Sequence, residues 1–260
     1  MARIDTLANF LTDIAAAIKV KTGKSDPITP ANFDAEIAEI PTGSTPDIGY
    51  TIDSWDENGI PKEISIVGMT IIPKDYSTSI PKSIEKIVLP DNLTTIEQSG
   101  LSGLTNLVNM NIPDTLIKIQ PYALMSLTKL NIKTLNRVEM LNISAMQNNT
   151  AMIQLSMPYI KTIAGTAGTA SYAPFRYCSN LKAVWVGSTI IDFDKLALSN
   201  TDSLVKVFID LPRATVETFD GYATGFKQGG TSNIVVCNDD EGWMTQAEFD
   251  AFDWSTYSEA

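Results

Sequence analysis

The chain has 260 residues, of which 44% are hydrophobic, and a formal net charge of −11 at pH 7, which agrees with a soluble, folded protein. It contains no histidine, which excludes His-based catalytic triads, His general bases and mixed His/Cys zinc sites. The acidic balance argues against nucleic acid or an anionic membrane surface as a partner. No apolar run approaches the ~20 residues of a membrane span, so we expect no membrane insertion.

The first residues do not have the pattern of an export signal. Asp5 and Asp13 interrupt the apolar stretch that a signal peptide would need. We therefore expect that the sequence as given is not exported by that route.

Residues 1–42 carry the pattern of two short amphipathic helices. The first ends near Gly23, and the second starts at Thr29 and Pro30, a capping residue and a proline suited to the first turn. So small a hairpin has too little core to stand alone, so we predict an attachment or oligomerisation module; a simple N-terminal cap of the next domain is the alternative. The residues expected to make these contacts are Leu7, Phe10, Leu11, Ile14, Ile18, Phe33 and Ile37.

Residues 43–60 are predicted to form a linker and a hairpin that leads into the next domain. The stretch 53–59 is as rich in oxygen ligands as a calcium loop, but it lacks the spacing and the distal glutamate of one. A glycine-containing turn before the first strand is therefore the favoured interpretation. We predict no metal site and no cofactor for the chain.

A repeat of about 23 residues fills the segment 61–238. When 84–96 is aligned with 107–119, the apolar positions coincide, and so does a Pro-Asp pair. Self-similarity at this period is the signature of a solenoid, in which each repeat forms one coil. We expect about eight coils.

Each repeat contains two apolar residues separated by one position, which predicts a short strand with one buried side. Stacked coils then form a parallel ladder. The stacking buries the apolar face of each repeat, which a single repeat cannot bury alone. The predicted inward pairs are Ile64/Ile66, Ile87/Leu89, Met110/Ile112, Leu155/Met157, Val184/Val186, Val207/Ile209 and Ile234/Val236.

Two features interrupt the repeat. The coil that starts at Leu130 is degenerate, with Lys133 at the first inward position and Leu135 at the second. Segments rich in Gly and Thr at 165–171 and 221–231 lengthen two other repeats, and we expect them to be surface loops.

The two cysteines are not predicted to form a disulfide. Cys178 occupies the position of Leu104 and Leu127 in earlier coils, so we predict a buried thiol. Cys237 follows the last predicted strand about two coils away, which makes a bond between the two improbable on distance.

The C-terminal residues 239–260 contain seven acids and no Lys or Arg. Thr245 with Glu248 three residues later has the capping-box pattern, and Phe249, Phe252 and Trp254 follow at helical spacing. We predict a short helix that seals the last coil, with the acidic run 239–241 as a solvated turn rather than a cation site.

A ligand surface is predicted on the outward side of the strand ladder, because solenoids bind partners on exposed strand positions. Trp185 and Phe208 fall on successive coils there, about 5 Å apart, and clustered outward aromatics mark contacts. Asn111 and Ser156 occupy the same column in other coils. The alternative is that a neighbouring loop, 215–230, folds over the two aromatics.

The repeats resemble the BspA-like bacterial leucine-rich repeat family. The carriers are 173–186 (APFRYCSNLKAVWV), similar to its "AF..C..L..V.V" core, and 87–96 (IVLPDNLTTI), similar to its "I.LP..L..I" turn. The implied fold is a leucine-rich-repeat-like α+β solenoid with an N-terminal helical hairpin and a short C-terminal capping helix.

The N-terminal segment 11–37, followed by WDENGIP at 55–61, is similar to a stretch recurrent in tail-associated structural proteins of bacteriophages and prophages. The resemblance implies a non-enzymatic virion protein that is assembled in the host cytoplasm, binds other virion proteins, forms a homo-oligomer and attaches to a host surface glycan or protein. A bacterial cell-surface adhesin is the alternative, but it would need export.

An enzyme is the remaining alternative. A virion-attached glycan depolymerase would use a pair of carboxylates, yet no pair here stands in a recognisable motif, so we predict no catalytic residues. A deep acidic cleft with two facing carboxylates would be the observation in its favour.

Overall fold

The structure is a computed structural model, and it describes residues 49–164, 172–193, 197–198, 201, 203–219 and 234–257. The predicted helical module at 1–42, with all of its proposed contact residues, lies outside these ranges. So do both predicted loops, 165–171 and 221–231.

A β-hairpin precedes the first coil. Strand β1 (Tyr50–Trp55) pairs antiparallel with β2 (Pro61–Ile66). The carboxylate of Asp56 accepts hydrogen bonds from the backbone N–H groups of Asn58 and Ile60, both at 2.9 Å, and Gly59 takes the positive φ of 75° that closes the turn. A glycine-containing turn is therefore present at 56–59, while 53–55 belong to strand β1.

The predicted strand ladder is present in two sheets, in which the strands of successive coils pair in parallel. The first, which we call the N-terminal ladder, has the order β1-β2-β4-β6, and the second, the C-terminal ladder, has the order β14-β13-β11-β9. The later strands are β4 (Lys86–Val88), β6 (Asn109–Met110), β9 (Gln154–Met157), β11 (Ala183–Val186), β13 (Lys206–Ile209) and β14 (Ile234–Cys237).

The two ladders meet at the degenerate coil. A single bridge, Thr134 to Ser156, replaces a strand there. The cause is local, because Lys133 stands where other coils have an inward apolar residue, and its side chain is exposed. Leu135 is buried, so the coil keeps half of its usual core contribution.

A lateral sheet forms the second side of the solenoid. Its order is β12-β10-β8-β7-β5-β3, and every rung is two residues long. The strands are β3 (Ile71–Ile72), β5 (Thr95–Ile96), β7 (Lys118–Ile119), β8 (Met140–Leu141), β10 (Thr162–Ile163) and β12 (Asp192–Phe193). In each rung the second residue is buried, and together the rungs give a solenoid of about six turns.

Turns stacked by backbone hydrogen bonds form the third side. Ser99, Tyr122 and Ser144 hold positive φ angles of 56°, 59° and 50°, and their N–H groups donate to carbonyls of the next coil. A 3-10 helix, Tyr76–Thr78, starts this side. These conformations are uncommon for non-glycine residues, so the stack of neighbouring coils holds them in place.

The core runs along the axis between the three sides. The six predicted inward pairs from Ile64/Ile66 to Val207/Ile209 are buried or packed against this core. The turn side contributes Leu101, Leu104, Leu124, Leu127, Phe175 and Cys178.

Both cysteines are buried and free, as predicted for Cys178. Burial raises the pKa of the Cys178 thiol to about 12. Cys237 is part of a strand rather than following one, and its thiol pKa is raised to about 11, mainly by burial.

The predicted register of the last strand is wrong by one residue. Val207 pairs with Val235 and Ile209 with Cys237, so Val235 and Cys237 face the core. Val236 then takes the outward position predicted for Val235. A one-residue slip exchanges the two faces of a strand, and the long preceding insertion left the register open.

Two short helices lie near the C-terminal end of the described chain. Helix α1 (Arg213–Val216) lies between β13 and β14, and helix α2 (Gln246–Ala251) follows β14. The capping box at Thr245 and Glu248 is present, so the predicted start of α2 is confirmed. Its predicted role in sealing the last coil is not confirmed, because α2 lies against the C-terminal ladder, with contacts to β9.

Candidate functional site

The predicted aromatic ligand surface is covered. Trp185 and Phe208 do stand side by side on paired strands, but only 5% and 3% of their surfaces are exposed. The prediction that they face solvent is therefore wrong. Both side chains do point outward from the ladder, but an outward position is not necessarily exposed to solvent.

The cover is the C-terminal segment, residues 243–257. Most of the predicted covering loop at 215–230 lies outside the described residues. The Phe208 ring has the rings of Trp243, Phe249 and Trp254 within 5.8 to 6.2 Å, and Trp243 also lies 6.1 Å from Trp185. These residues form a second hydrophobic cluster on the outer side of the C-terminal ladder. The aromatic pair is therefore structural in this conformation.

Polar contacts fix the same segment to the ladder. The Trp185 indole Nε1 donates to the Met244 carbonyl at 3.0 Å, and Lys182 Nζ donates to the carbonyls of Ser255 and Tyr257 at 3.0 and 2.8 Å. The segment thus crosses the ladder from β14 back towards β9.

The other two predicted ligand residues are also occupied by the fold. Ser156 is fully buried and its hydroxyl donates to Thr134 Oγ1 at 3.1 Å. Asn111 is exposed, but its amide bonds both the N–H and the carbonyl of Leu89, at 2.6 and 2.9 Å. This side chain continues the ladder hydrogen bonding where strand β6 has ended. The four predicted residues are therefore not brought together as an open site.

A different site lies where the N-terminal ladder turns into the lateral sheet. It is an open groove with a volume of about 440 Å³. Three successive coils line it, with Thr94 from the first, Asp114, Thr115 and Ile117 from the second, and Arg137 and Glu139 from the third. We call it the edge groove, and its volume is within the usual range for small-molecule sites.

Neighbouring side chains position the charged residues of the edge groove. The Arg137 guanidinium carbon lies 4.7 Å from the centre of the Tyr159 ring, a cation–π contact between adjacent coils. Glu139 pairs with Lys161 at 3.0 Å, and Asp114 accepts a hydrogen bond from Asn136 at 3.1 Å. The stacked coils thus hold a cation and two carboxylates around the apolar side chain of Ile117.

Sequence reasoning missed this groove because it treated the degenerate coil only as a loss of pattern. Backbone pairing aligns Glu139 with Ile117, and Met140 with Lys118. Arg137 and Glu139 therefore occupy lateral positions where the preceding coil has Thr115 and Ile117. The signal in the sequence was the appearance of charged residues at positions that are uncharged in the preceding coils. They occur in a coil that is one residue shorter than the coil before it.

The described ranges contain neither a candidate metal cluster nor a helix that could span a membrane. No group of three or more Cys, Asp or Glu side chains in those ranges is placed to hold a metal ion. No helix among the same residues has the length and apolar character required to cross a membrane.

One known family model matches part of the repeat region. Residues 71–167 match the model of the "BspA type Leucine rich repeat region", in six copies. This part of the chain is therefore similar to BspA-type leucine-rich repeats. The matched segment contains the whole edge groove.

Two solved structures are similar to the chain over much of its length. One is the pneumococcal vaccine antigen PcpA, at 12% identity and a TM-score of 0.46, covering 69% of this chain and 42% of that one. The other is a leucine-rich cell surface protein from Faecalibacterium prausnitzii A2-165, at 14% identity and a TM-score of 0.28, covering 77% and 64%. The chain thus spans less than two thirds of either protein. No curated protein matches the chain.

Proposed function

We propose that this chain is a non-enzymatic recognition protein, and that its solenoid binds a partner outside the cell that produces it. The observation that carries the proposal is the edge groove, in which three coils of the repeat region present positioned charges to solvent. Stacked coils form extended surfaces suited to binding, and this fold is typically used for recognition.

The carboxylates of the edge groove do not favour the alternative of a glycan depolymerase. The groove is open, Asp114 is exposed and Glu139 is paired with Lys161. A glycosidase general acid usually lies in apolar surroundings inside a cleft. Asp114 and Glu139 lack that environment.

We propose that the chain is displayed on a bacterial cell surface. The family match lies on the repeats, and the resemblance connects these repeats with bacterial surface proteins. Attachment to a phage virion is the second candidate. It depends on the segment 11–37, which lies outside the described residues, and so do the proposed oligomer contacts.

Labelling with an antibody against this chain tests the setting. In an induced culture of the producing strain, we expect label on intact cells by electron microscopy. Label on tails or heads of released particles, with bare cells, would instead establish the virion setting.

Cell binding tests the recognition role itself. The purified full chain, labelled with a fluorophore, should bind saturably to bacterial or host cells and be displaced by excess unlabelled chain, as measured by flow cytometry. The matched control is an equally labelled acidic protein of similar size. Binding no greater than that control on every cell type tested would contradict the recognition role.

A further inference from the structure

We infer that the edge groove binds a saccharide unit that carries one carboxylate, such as a uronic or nonulosonic acid. This inference rests on the recognition role proposed above and names the ligand class for it. The argument starts from the polar atoms of the groove that the fold has already used and those that it has left free.

The threonine hydroxyls of the groove are used by the fold. Thr94 Oγ1 donates to the Thr70 carbonyl at 3.1 Å, and Thr115 Oγ1 lies 2.6 and 2.8 Å from the carbonyls of Asp91 and Leu93. They connect successive coils and have no donor left for a ligand. The remaining polar capacity of the groove belongs to its charged side chains.

Arg137 offers unused hydrogen-bond donors. Its recorded contact among the described residues is the stack on Tyr159, which engages the face of the guanidinium and leaves its N–H edge free. Such stacking reduces the rotamer freedom that binding would otherwise remove. A planar guanidinium held in this way suits bidentate binding of a carboxylate.

The two acidic residues select against a more highly charged ligand. Asp114 and Glu139, together with the net charge of −11, would repel a phosphate or a sulfated chain more strongly than a ligand with a single carboxylate. The same oxygens would accept hydrogen bonds from hydroxyl groups. A ligand that suits both acceptors and Arg137 has several hydroxyls around a single carboxylate.

Apolar surface is available beside the charges. Ile117 is one of the exposed large hydrophobic residues, and the Tyr159 ring is 45% exposed. Sugar rings have C–H faces that pack on such side chains. The volume of 440 Å³ is in the lower half of the range for small ligands, so it suits one or two sugar units better than a folded partner.

Calorimetry on the full chain with small probes tests the inference. We expect saturable binding of the methyl glycoside of glucuronic acid, of N-acetylneuraminic acid, or of both, which distinguishes the two sources of the carboxylate. The methyl esters of the same sugars should not bind, because they lack the charge that pairs with Arg137. Failure of both acids to bind, or equal binding of an acid and its ester, would overturn the inference.

Arg137→Gln provides the residue-specific test. It should weaken binding of the acid roughly ten- to hundredfold, the effect of one charge-assisted contact. Lys118→Gln is the matched control, because it removes the same charge from an exposed rung next to the groove. Circular dichroism should show the fold unchanged in both variants. Equal weakening in both would indicate a general charge effect and contradict the assigned site.

The cell-binding assay separates this inference from the function on which it rests. If the chain binds cells but Arg137→Gln and competing acidic sugars leave that binding unchanged, the ligand class is wrong and the recognition role remains. If the chain binds no cells, the proposed function itself fails.

Discussion

The indole of Trp185 on strand β11 donates a hydrogen bond to the carbonyl of Met244, 59 residues further along the chain. The contact places a C-terminal residue directly over the outward side of a strand from the middle of the solenoid. The strand ladder and the C-terminal segment therefore share one apolar cluster. Each covers apolar side chains of the other that solvent would otherwise reach.

Removing Trp254 should destabilise the protein. Its side chain is almost fully buried and packs on Phe208 and Phe249, so Trp254→Ala should lower the free energy of unfolding by about 3–5 kcal/mol. Urea denaturation followed by circular dichroism measures the loss. Phe252→Ala is the control, because Phe252 is 37% exposed, and it should cost less than half as much. Equal costs would show that the cluster does not stabilise the fold as described.

The last coil should contribute a pH-dependent part of the stability through Asp240. Its carboxylate accepts from the Arg213 guanidinium, with Nε at 2.9 Å, and from the Cys237 N–H at 2.7 Å. These contacts hold the pKa of Asp240 below its ordinary 3.8. The stabilisation is therefore fully present above about pH 3.8 and is lost as the pH falls through the lowered pKa of the folded state.

Unfolding free energies measured across pH test this contribution. Asp240→Asn should be less stable than the unmodified chain at neutral pH, and the difference should shrink below about pH 3.8. Glu241→Gln, an exposed neighbour with the same charge change, should show no such trend. A difference that stays constant down to acid pH would contradict the role of the ionised Asp240.

Neither thiol should react in the folded protein. Burial raises the pKa of Cys178 to about 12, so the thiolate is scarce near neutral pH and reagents cannot reach it. Titration with a chromogenic disulfide at pH 8 should release no colour natively. In guanidinium chloride it should report the two thiols of the chain, with or without prior reduction. Fewer than two without reduction would indicate a disulfide and contradict the free state.

The N-terminus of α2 should depend on its capping box. Thr245 Oγ1 accepts from the Glu248 N–H, and the Glu248 carboxylate accepts from the Thr245 N–H at 2.8 Å. Thr245→Ala should cost about 0.5–2 kcal/mol of unfolding free energy. Gln246→Ala, at a partly exposed position of the same helix, should be close to neutral. If both changes are neutral in denaturant unfolding, α2 is not part of the cooperative unit.

The repeat pattern predicted the solenoid well because its physical cause is local. An apolar residue at every second position of a short strand can only be buried by stacking on the next coil, and Ile87, Val184 and Val207 do this. The register of β14 could not be read in the same way. A long insertion separates it from β13, and both Ile234/Val236 and Val235/Cys237 satisfy the pattern.

The candidate site was not predictable in this way. Arg137 and Tyr159 are 22 residues apart in sequence, and only the stacking of their coils brings the guanidinium to 4.7 Å from the ring. The pattern marked the coil as irregular but did not indicate where its charged side chains would lie.

By itself, the sequence determined the parallel ladder, the inward residues of its regular coils, the buried thiol of Cys178 and the capped start of α2. Each depends on neighbours within one repeat or one turn. Only the tertiary structure decided that residues 243–257 cover Trp185 and Phe208, and that an open groove forms beside Arg137. The apolar residues on the outward side of a strand do not show whether solvent or another segment of the chain contacts them. That outcome depends on contacts between distant parts of the chain, which periodicity does not encode.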